Sequence, residues 1–326
     1  MSTPRVFVTR LIPDEGLAAV RAYCQADVWP AELPPKRQEI LQRVAGVDGI
    51  LSLLTDAIDG AVMDAAGPGL KVISNYAVGF DNVNVAEATA RGIPVGNTPG
   101  VLTDTTADFA FALLMASARR VAEGDRFTRA GRWNTWGPML LLGQDITGAT
   151  LGLIGFGRIG QGMARRAQGF DMKVLTHDPL RQDDRYGARS VDLDTLLRRS
   201  DFVSLHVPLT KETHHLIDAD ALSRMKPTAI LVNTARGGVV DSEALYRALK
   251  TGEIAGAALD VTEPEPMAAD HPLLALDNVI VAPHMASASV ATRGKMARMA
   301  AANLIAGLEG ERLPNCVNPQ VYADTD

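Results

Sequence analysis

Three glycines crowd one short segment, LGLIGFGRIGQGMARRAQGFDMKVLTHDP (151–179): Gly155, Gly157 and Gly160 follow an apolar run, and the segment reaches Asp178. Glycine costs backbone entropy on folding, so a cluster needs a geometric reason. A tight turn between strand and helix is one such reason; a phosphate that must touch bare backbone is another. The context favours the phosphate. An apolar strand runs into Gly155-Phe156-Gly157-Arg158-Ile159-Gly160, the helical stretch QGMARRAQGF follows, and the next strand closes at Asp178. Turn glycines let a pyrophosphate approach a helix N-terminus, whose amides and dipole favour anions. The acid at the end of the second strand then accepts ribose hydroxyls.

Three further side chains could do chemistry. Arg236 follows the apolar strand AILVNTA and precedes two glycines, and a guanidinium there can clamp a carboxylate through two parallel hydrogen bonds. Glu265 lies in EPEP (263–266), where prolines stiffen the loop; Glu263 is its only rival. His284 closes NVIVAPH and precedes the small residues MASAS. A carboxylate beside an imidazole stabilises the imidazolium and makes a proton donor, while arginine supplies charge for a developing oxyanion. Next to a nicotinamide, these parts suit hydride transfer to a 2-oxo acid.

These residues sit at the ends of strands. RVFVT (5–9), GILSLL (49–54), KVISNYAV (71–78) and IPVGN (93–97) read as buried strands of one unit. TLGLIGF (150–156), KVLTHD (173–178), FVSLHVP (202–208), AILVNTA (229–235), AGAALDV (255–261) and NVIVAPH (278–284) read as those of a second. Apolar strands alternating with helices imply α/β architecture with parallel sheets covered on both faces. Doubly wound sheets bind ligands at the carboxyl ends of their strands, which places His206, Pro208, Thr234, Ala235 and Asp260 in the same crevice. Two long helical stretches, 102–131 and 285–310, join the units. The predicted layout is a substrate domain of residues 1–100 and 287–326, with a dinucleotide-binding domain of residues 101–286 inserted into it.

Composition narrows the function classes. A hydrophobic content of 47% with 21% charged residues allows a sizeable core. A net charge of −6 argues against nucleic-acid binding. Two cysteines, Cys24 and Cys316, make no disulfide framework and suit a reducing compartment. No signal peptide or bilayer-length apolar run is recognisable, so the expected location is the cytoplasm, with no membrane partner. The remaining histidines carry less: His177 precedes the ribose acid, His214 and His215 follow a turn, and His271 adjoins Pro272. No pair has metal-ligand spacing with a third ligand beside it, so no metal is expected.

Taken in order, GFDNVNVAEATARGIPVGNTPGVLTDTTAD (79–108), GFGRIGQGMARR (155–166), NTARGGVVD (233–241), ALDVTEPEP (258–266), HPLL (271–274) and APHMASAS (282–289) resemble the D-isomer-specific 2-hydroxyacid dehydrogenases over nearly the whole chain. Within them the likeness is nearest to the glyoxylate/hydroxypyruvate reductases. The resemblance implies two doubly wound domains, a Rossmann cofactor domain inserted into a flavodoxin-like substrate domain. It puts the family's catalytic arginine, glutamate and histidine on Arg236, Glu265 and His284. The loop that holds the substrate carboxylate falls on Val78 and Gly79, with Leu53 also at the substrate. Thr106 matches a threonine contacting the cofactor phosphates, Asp260 an acid that meets the nicotinamide carboxamide, and Trp136 a tryptophan entering the partner subunit's active site of a homodimer. Thr213 and Ser287 complete the expected cofactor contacts.

The implied activity is reduction of glyoxylate or hydroxypyruvate to the D-2-hydroxy acid. Alternatives are a dehydrogenase for a bulkier or phosphorylated acid such as D-3-phosphoglycerate, and a NAD-sensing corepressor-like binding protein. Departures from the pattern weigh on other branches. Val78 stands where phosphite dehydrogenases carry lysine, and Glu265 where formate dehydrogenases carry glutamine. The short stretch after His284 is expected to hold no regulatory domain of the kind many phosphoglycerate dehydrogenases have. NAD is expected over NADP, because Asp178 would meet a 2′-phosphate with like charge, although Arg181 lies three residues on.

Overall fold

Short buried strands, each followed by a helix, build two separate parallel sheets. The computed structural model describes residues 3–181 and 184–323. The chain divides into two compact units, residues 1–102 with 288–326, and residues 103–287. Among the described residues no helix is long and apolar enough to cross a membrane.

The first unit holds β1 (Arg5–Val8), α1 (Asp14–Tyr23), β2 (Gln25–Val28), α2 (Arg37–Arg43), β3 (Gly49–Ser52), α3 (Gly60–Ala66), β4 (Val72–Asn75), α4 (Val85–Ala90) and β5 (Val95–Gly96). Its sheet order is β2-β1-β3-β4-β5, the flavodoxin-like arrangement. Phe7, Ile50, Ile73 and Val95 point to one face and bury Ile40, Val62 and Met63 of the helices there. The other face carries α1 and the C-terminal helix Val290–Glu309, which approach so closely that a Cβ on Gly16 would lie 2.2 Å from the Ala297 carbonyl oxygen. Between β4 and that helix the buried Ser74 hydroxyl donates to the Ala300 carbonyl at 2.8 Å.

The second unit runs α5 (Thr103–Ala118), α6 (Val121–Arg129), β6 (Thr150–Ile154), α7 (Arg158–Ala167), β7 (Lys173–His177), β8 (Ala188–Ser190), α8 (Leu193–Arg199), β9 (Phe202–Leu205), α9 (Ala219–Arg224), β10 (Ile230–Asn233), α10 (Ser242–Thr251), β11 (Gly256–Leu259) and β12 (Val279–Val281). All seven strands are parallel, in the order β12-β11-β10-β9-β6-β7-β8. The winding reverses between β6 and β9, the switch point of a Rossmann sheet. Alternate residues feed opposite cores. Leu151, Leu153, Phe202, Ile230 and Val232 pack under α5 and α7, whereas Ile154, Val203, Leu205 and Leu231 pack under α8, α9 and α10. That period of two is why these strands read as continuous apolar runs.

The structure corrects the sequence at four places. The stretch 102–131 is not one helix: Arg120 takes a left-handed conformation (φ 51°), and the Gln144 amide occupies the Ala118 carbonyl at 2.8 Å, ending the ladder there. The second long helix begins at Val290 rather than 285, where the Ser289 hydroxyl caps the Thr292 amide. Strands β2 and β8 escaped notice because QADV and ARS lie at sheet edges and bury little.

Candidate active site

Register alone assembles most of the site. His177, Ile154, Leu205, Asn233, Leu259 and Val281 form one row across the seven-stranded sheet. The residues one step beyond it are Asp178, Gly155, His206, Thr234, Asp260 and Ala282. Six parallel strands therefore deliver their following loops to a single edge.

At the centre of that edge Gly155 has φ 91°, and a Cβ there would lie 2.6 Å from the His206 carbonyl oxygen. A Cβ on Gly160 would lie 2.3 Å from the Gly155 carbonyl oxygen, so α7 can start this close to β6 only with glycine at both positions. Gly157 differs, because a Cβ there would meet nothing within 4 Å. Its bareness serves no internal packing and leaves room for a ligand at the N-terminus of α7, as a pyrophosphate requires. Asp178 accepts the Phe156 amide on one carboxylate oxygen (2.8 Å) and the Leu180 amide on the other (2.9 Å), which fixes its plane beside the turn. The Thr234 hydroxyl is buried without a hydrogen-bond partner among the described residues, a second vacancy suited to a polar ligand. Thr106 is buried in the first turn of α5, Arg158 and Pro208 are exposed, and Ile159, Ala235 and Ser287 are half-buried. Thr213 ties the loop after β9 together, accepting the Thr210 amide and donating to the Pro208 carbonyl.

The acid–base cluster lies on the β10, β11 and β12 side. The His284 Nδ1 stands 2.6 Å from Glu265 Oε1, and the Thr262 amide donates to Glu265 Oε2 at 3.2 Å. The two side chains are 26% and 34% exposed, open enough for a substrate to reach them. Burial on its own raises the Glu265 pKa. The hydrogen bond and charge of His284, the Thr262 amide and the Arg236 charge outweigh it and hold the carboxyl below its ordinary value. Arg236 is half-buried, with Nη1 donating to the Ala235 carbonyl at 2.8 Å.

His284 itself is left-handed (φ 52°). Asp260, 1% exposed, holds that turn: its two carboxylate oxygens accept the Met285 and Ala286 amides at 2.7 and 2.8 Å, and its carbonyl accepts the His284 amide. Burial raises the Asp260 pKa against the pull of those two amides. Sequence reasoning overlooked this positioning role, and also Asn233, whose side chain accepts the Ala235 amide and donates to the Arg236 carbonyl. Asn233 stood in view in NTARG, but only the folded turn reveals its bonds.

In the first unit, the Val78 and Gly79 carbonyls are taken by Asn97 and Asn75, while their amides donate to no group among the described residues. Two neighbouring unfilled N–H groups suit a carboxylate. Leu53, next to this loop through Asn82, gives its carbonyl to the Asn82 amide. Trp136 and Trp133 stand on the arm after α6, 78% and 60% exposed.

Residues 111–286 match the family model for the D-isomer specific 2-hydroxyacid dehydrogenase, NAD binding domain. The chain belongs to the D-isomer specific 2-hydroxyacid dehydrogenase family, whose members are nicotinamide-dependent oxidoreductases. It is 58% identical to a glyoxylate reductase of Korarchaeum cryptofilum across 98% of this chain and 97% of that one. Among solved structures, a Thermus thermophilus protein superposes with a TM-score of 0.91 at 48% identity, covering 96% of this chain and 99% of its own. An NADPH-dependent glyoxylate/hydroxypyruvate reductase from Sinorhizobium meliloti, solved with NADP and malonate, gives 0.85 at 34% identity over 98% of both chains.

His206 offers a test of the crevice by pH. Its Nε2 lies 2.9 Å from the Ser204 hydroxyl, and burial pushes its pKa from 6.5 down to about 3. The folded protein therefore keeps this imidazole neutral while the unfolded chain protonates it below pH 6.5. The resulting stability is complete above pH 6.5 and drains away as pH falls towards 3, by at most about 1.4 kcal/mol per pH unit. Thermal unfolding across that range should show His206→Asn losing stability with acid less steeply than wild type. Parallel slopes would mean that His206 titrates normally.

Proposed function

We propose that this chain is a reductase that converts glyoxylate and hydroxypyruvate to the D-2-hydroxy acid. The observation that carries the proposal is the 2.6 Å His284–Glu265 pair at the carboxyl edge of a nucleotide-binding sheet. The 58% identity to a glyoxylate reductase supports the choice of substrate.

A bound nicotinamide supplies hydride to C2 of the oxo acid. With Nδ1 engaged by Glu265, His284 presents Nε2 to the substrate and gives its proton to the carbonyl oxygen. Glu265, kept ionised by its surroundings, stabilises the imidazolium and fixes the ring plane. Arg236, its backbone anchored by Asn233, takes the substrate carboxylate and polarises the carbonyl. Within the first unit, the Val78 and Gly79 amides offer donors that suit a carboxylate. The glycine turn at the N-terminus of α7, with Thr106 and Thr234, would hold the pyrophosphate and nicotinamide riboside, and Asp178 the adenine ribose.

NAD is the preferred form. The Asp178 carboxylate, fixed by the Phe156 and Leu180 amides, keeps lone pairs for both ribose hydroxyls and repels a 2′-phosphate. The enzyme works as a cytoplasmic homodimer. Trp133, Trp136, Met139 and Leu142 are all largely exposed on one short arm, more apolar surface than a lone arm in water warrants. Trp136 then closes the neighbouring pocket.

Three measurements bear on these assignments. His284→Ala should lower turnover roughly 10²–10⁴-fold with cofactor binding nearly intact, and near-wild-type turnover would remove His284 from the mechanism. The ratio of kcat/KM for NADH over NADPH should exceed one in wild type and fall in Asp178→Ala; a ratio below one, or one the mutation leaves alone, refutes the preference or its cause. Sedimentation at micromolar protein should give a dimer that Trp136→Ala together with Met139→Ala weakens, whereas a wild-type monomer would contradict the role of the arm.

A further inference from the structure

Outside the acid–base cluster, a second group of titratable side chains converges on the same unit. The His214 and His215 rings are stacked, with centroids 3.9 Å apart and planes 24° from parallel. Neighbouring side chains of an extended chain point to opposite sides. Here His215 is left-handed (φ 51°), which brings both imidazoles to one side. Glu263 comes from the loop after β11 and sets Oε2 3.2 Å from His215 Nε2 and 4.0 Å from His214 Nε2. One ligand atom from each residue lies within 4.8 Å of the other two.

The surrounding backbone holds this arrangement. The His215 amide donates to the Gly238 carbonyl and the Ile217 amide to that of Val239, pinning the histidine segment to the turn after β10. The Ser242 hydroxyl donates to the Glu263 carbonyl at 3.3 Å. A Cβ on Gly238 would lie 2.9 Å from Glu263 Oε1, so glycine at that position leaves the carboxylate its room. Three separate loops thus meet at two imidazoles and one carboxylate.

We propose that His214, His215 and Glu263 bind a borderline divalent transition ion such as Zn²⁺, with water completing the coordination. Two neutral nitrogens and one carboxylate oxygen suit Zn²⁺ and its neighbours, whereas Mg²⁺ and Ca²⁺ take oxygen ligands. Bonds of about 2.1 Å in a tetrahedral site separate ligand atoms by roughly 3.4 Å. The His215–Glu263 edge, at 3.2 Å, is close to that length, and binding requires the exposed His214 ring to turn out of its stack on His215 so that both nitrogens face the ion. The third ligand is not a sequence neighbour of the histidine pair; the fold supplies it from 48 residues away. The ion ties the loop after β9 to the loop that carries Glu265, without using Glu265 itself.

The test uses the full-length, tag-free protein, stripped with a chelator and titrated with Zn²⁺ against a chromogenic zinc indicator. Wild type should bind one ion per chain, undisturbed by excess Mg²⁺, and its thermal midpoint should rise with Zn²⁺. His214→Ala and Glu263→Gln should each weaken binding at least tenfold and abolish that rise. A wild type that fails to compete with the indicator, or variants that bind as wild type does, would overturn the assignment.

Discussion

His284 reaches Glu265 because its backbone is turned in a direction that most residues avoid. A left-handed conformation costs a non-glycine residue about 1–2 kcal/mol. The turn persists because the buried Asp260 carboxylate accepts the next two amides, Met285 and Ala286, and its carbonyl accepts the amide of His284 itself. Hydrogen bonds to a charged acceptor are worth roughly 1.5–3 kcal/mol each, so two of them exceed the strain. Without Asp260 the imidazole would lose its aim, and Glu265 would be an acid with no base to orient. Everything else in the cluster assumes this one buried carboxylate.

The sheet explains why so few residues suffice. Parallel strands in register bring six loops to one edge, so each loop needs to contribute only one or two groups. The contributions also differ in kind along the edge. On the β6 and β7 side the chain offers backbone amides, bare glycine and a fixed carboxylate, which suit a phosphate and a ribose. On the β10 to β12 side it offers a guanidinium, an imidazole and a second carboxylate, which suit an oxo acid. The neutral His206 sits between them, and loss of solvent keeps it from adding positive charge where the two groups of ligands would meet.

Legibility in the sequence followed the distance over which each feature is encoded. The glycine turn was readable because strand, turn and helix are contiguous and each glycine answers to a clash or a vacancy nearby. Both sheets were readable because buried parallel strands are apolar on two faces. The two blocks of strands and the long helical stretches joining them suggested the domain order, and the family resemblance added roles, residue by residue, to the candidate site. What stayed hidden has non-local causes. The break between α5 and α6 depends on Gln144 returning to cap Ala118, and no breaker marks Arg119 or Arg120. The edge strands β2 and β8 pair on one side only and lack an apolar run. Asp260 and Asn233 act through hydrogen bonds that exist only after neighbouring turns have formed.

The EPEP loop shows the same principle at its finest scale. Glu263 and Glu265 are two residues apart and chemically identical, and the sequence could only rank them. In the fold they face different partners: Glu265 meets His284 at the end of β12, while Glu263 meets His215 in the loop after β9. The two pairings tie the loop to the end of β12 on one side and to the segment after β9 on the other. Thr262 adds a third restraint, with its amide on Glu265 and its hydroxyl on the Pro264 carbonyl. The carboxylate that orients His284 is therefore held from both sides of the sheet edge, and its position is a property of three strands rather than of one flexible loop.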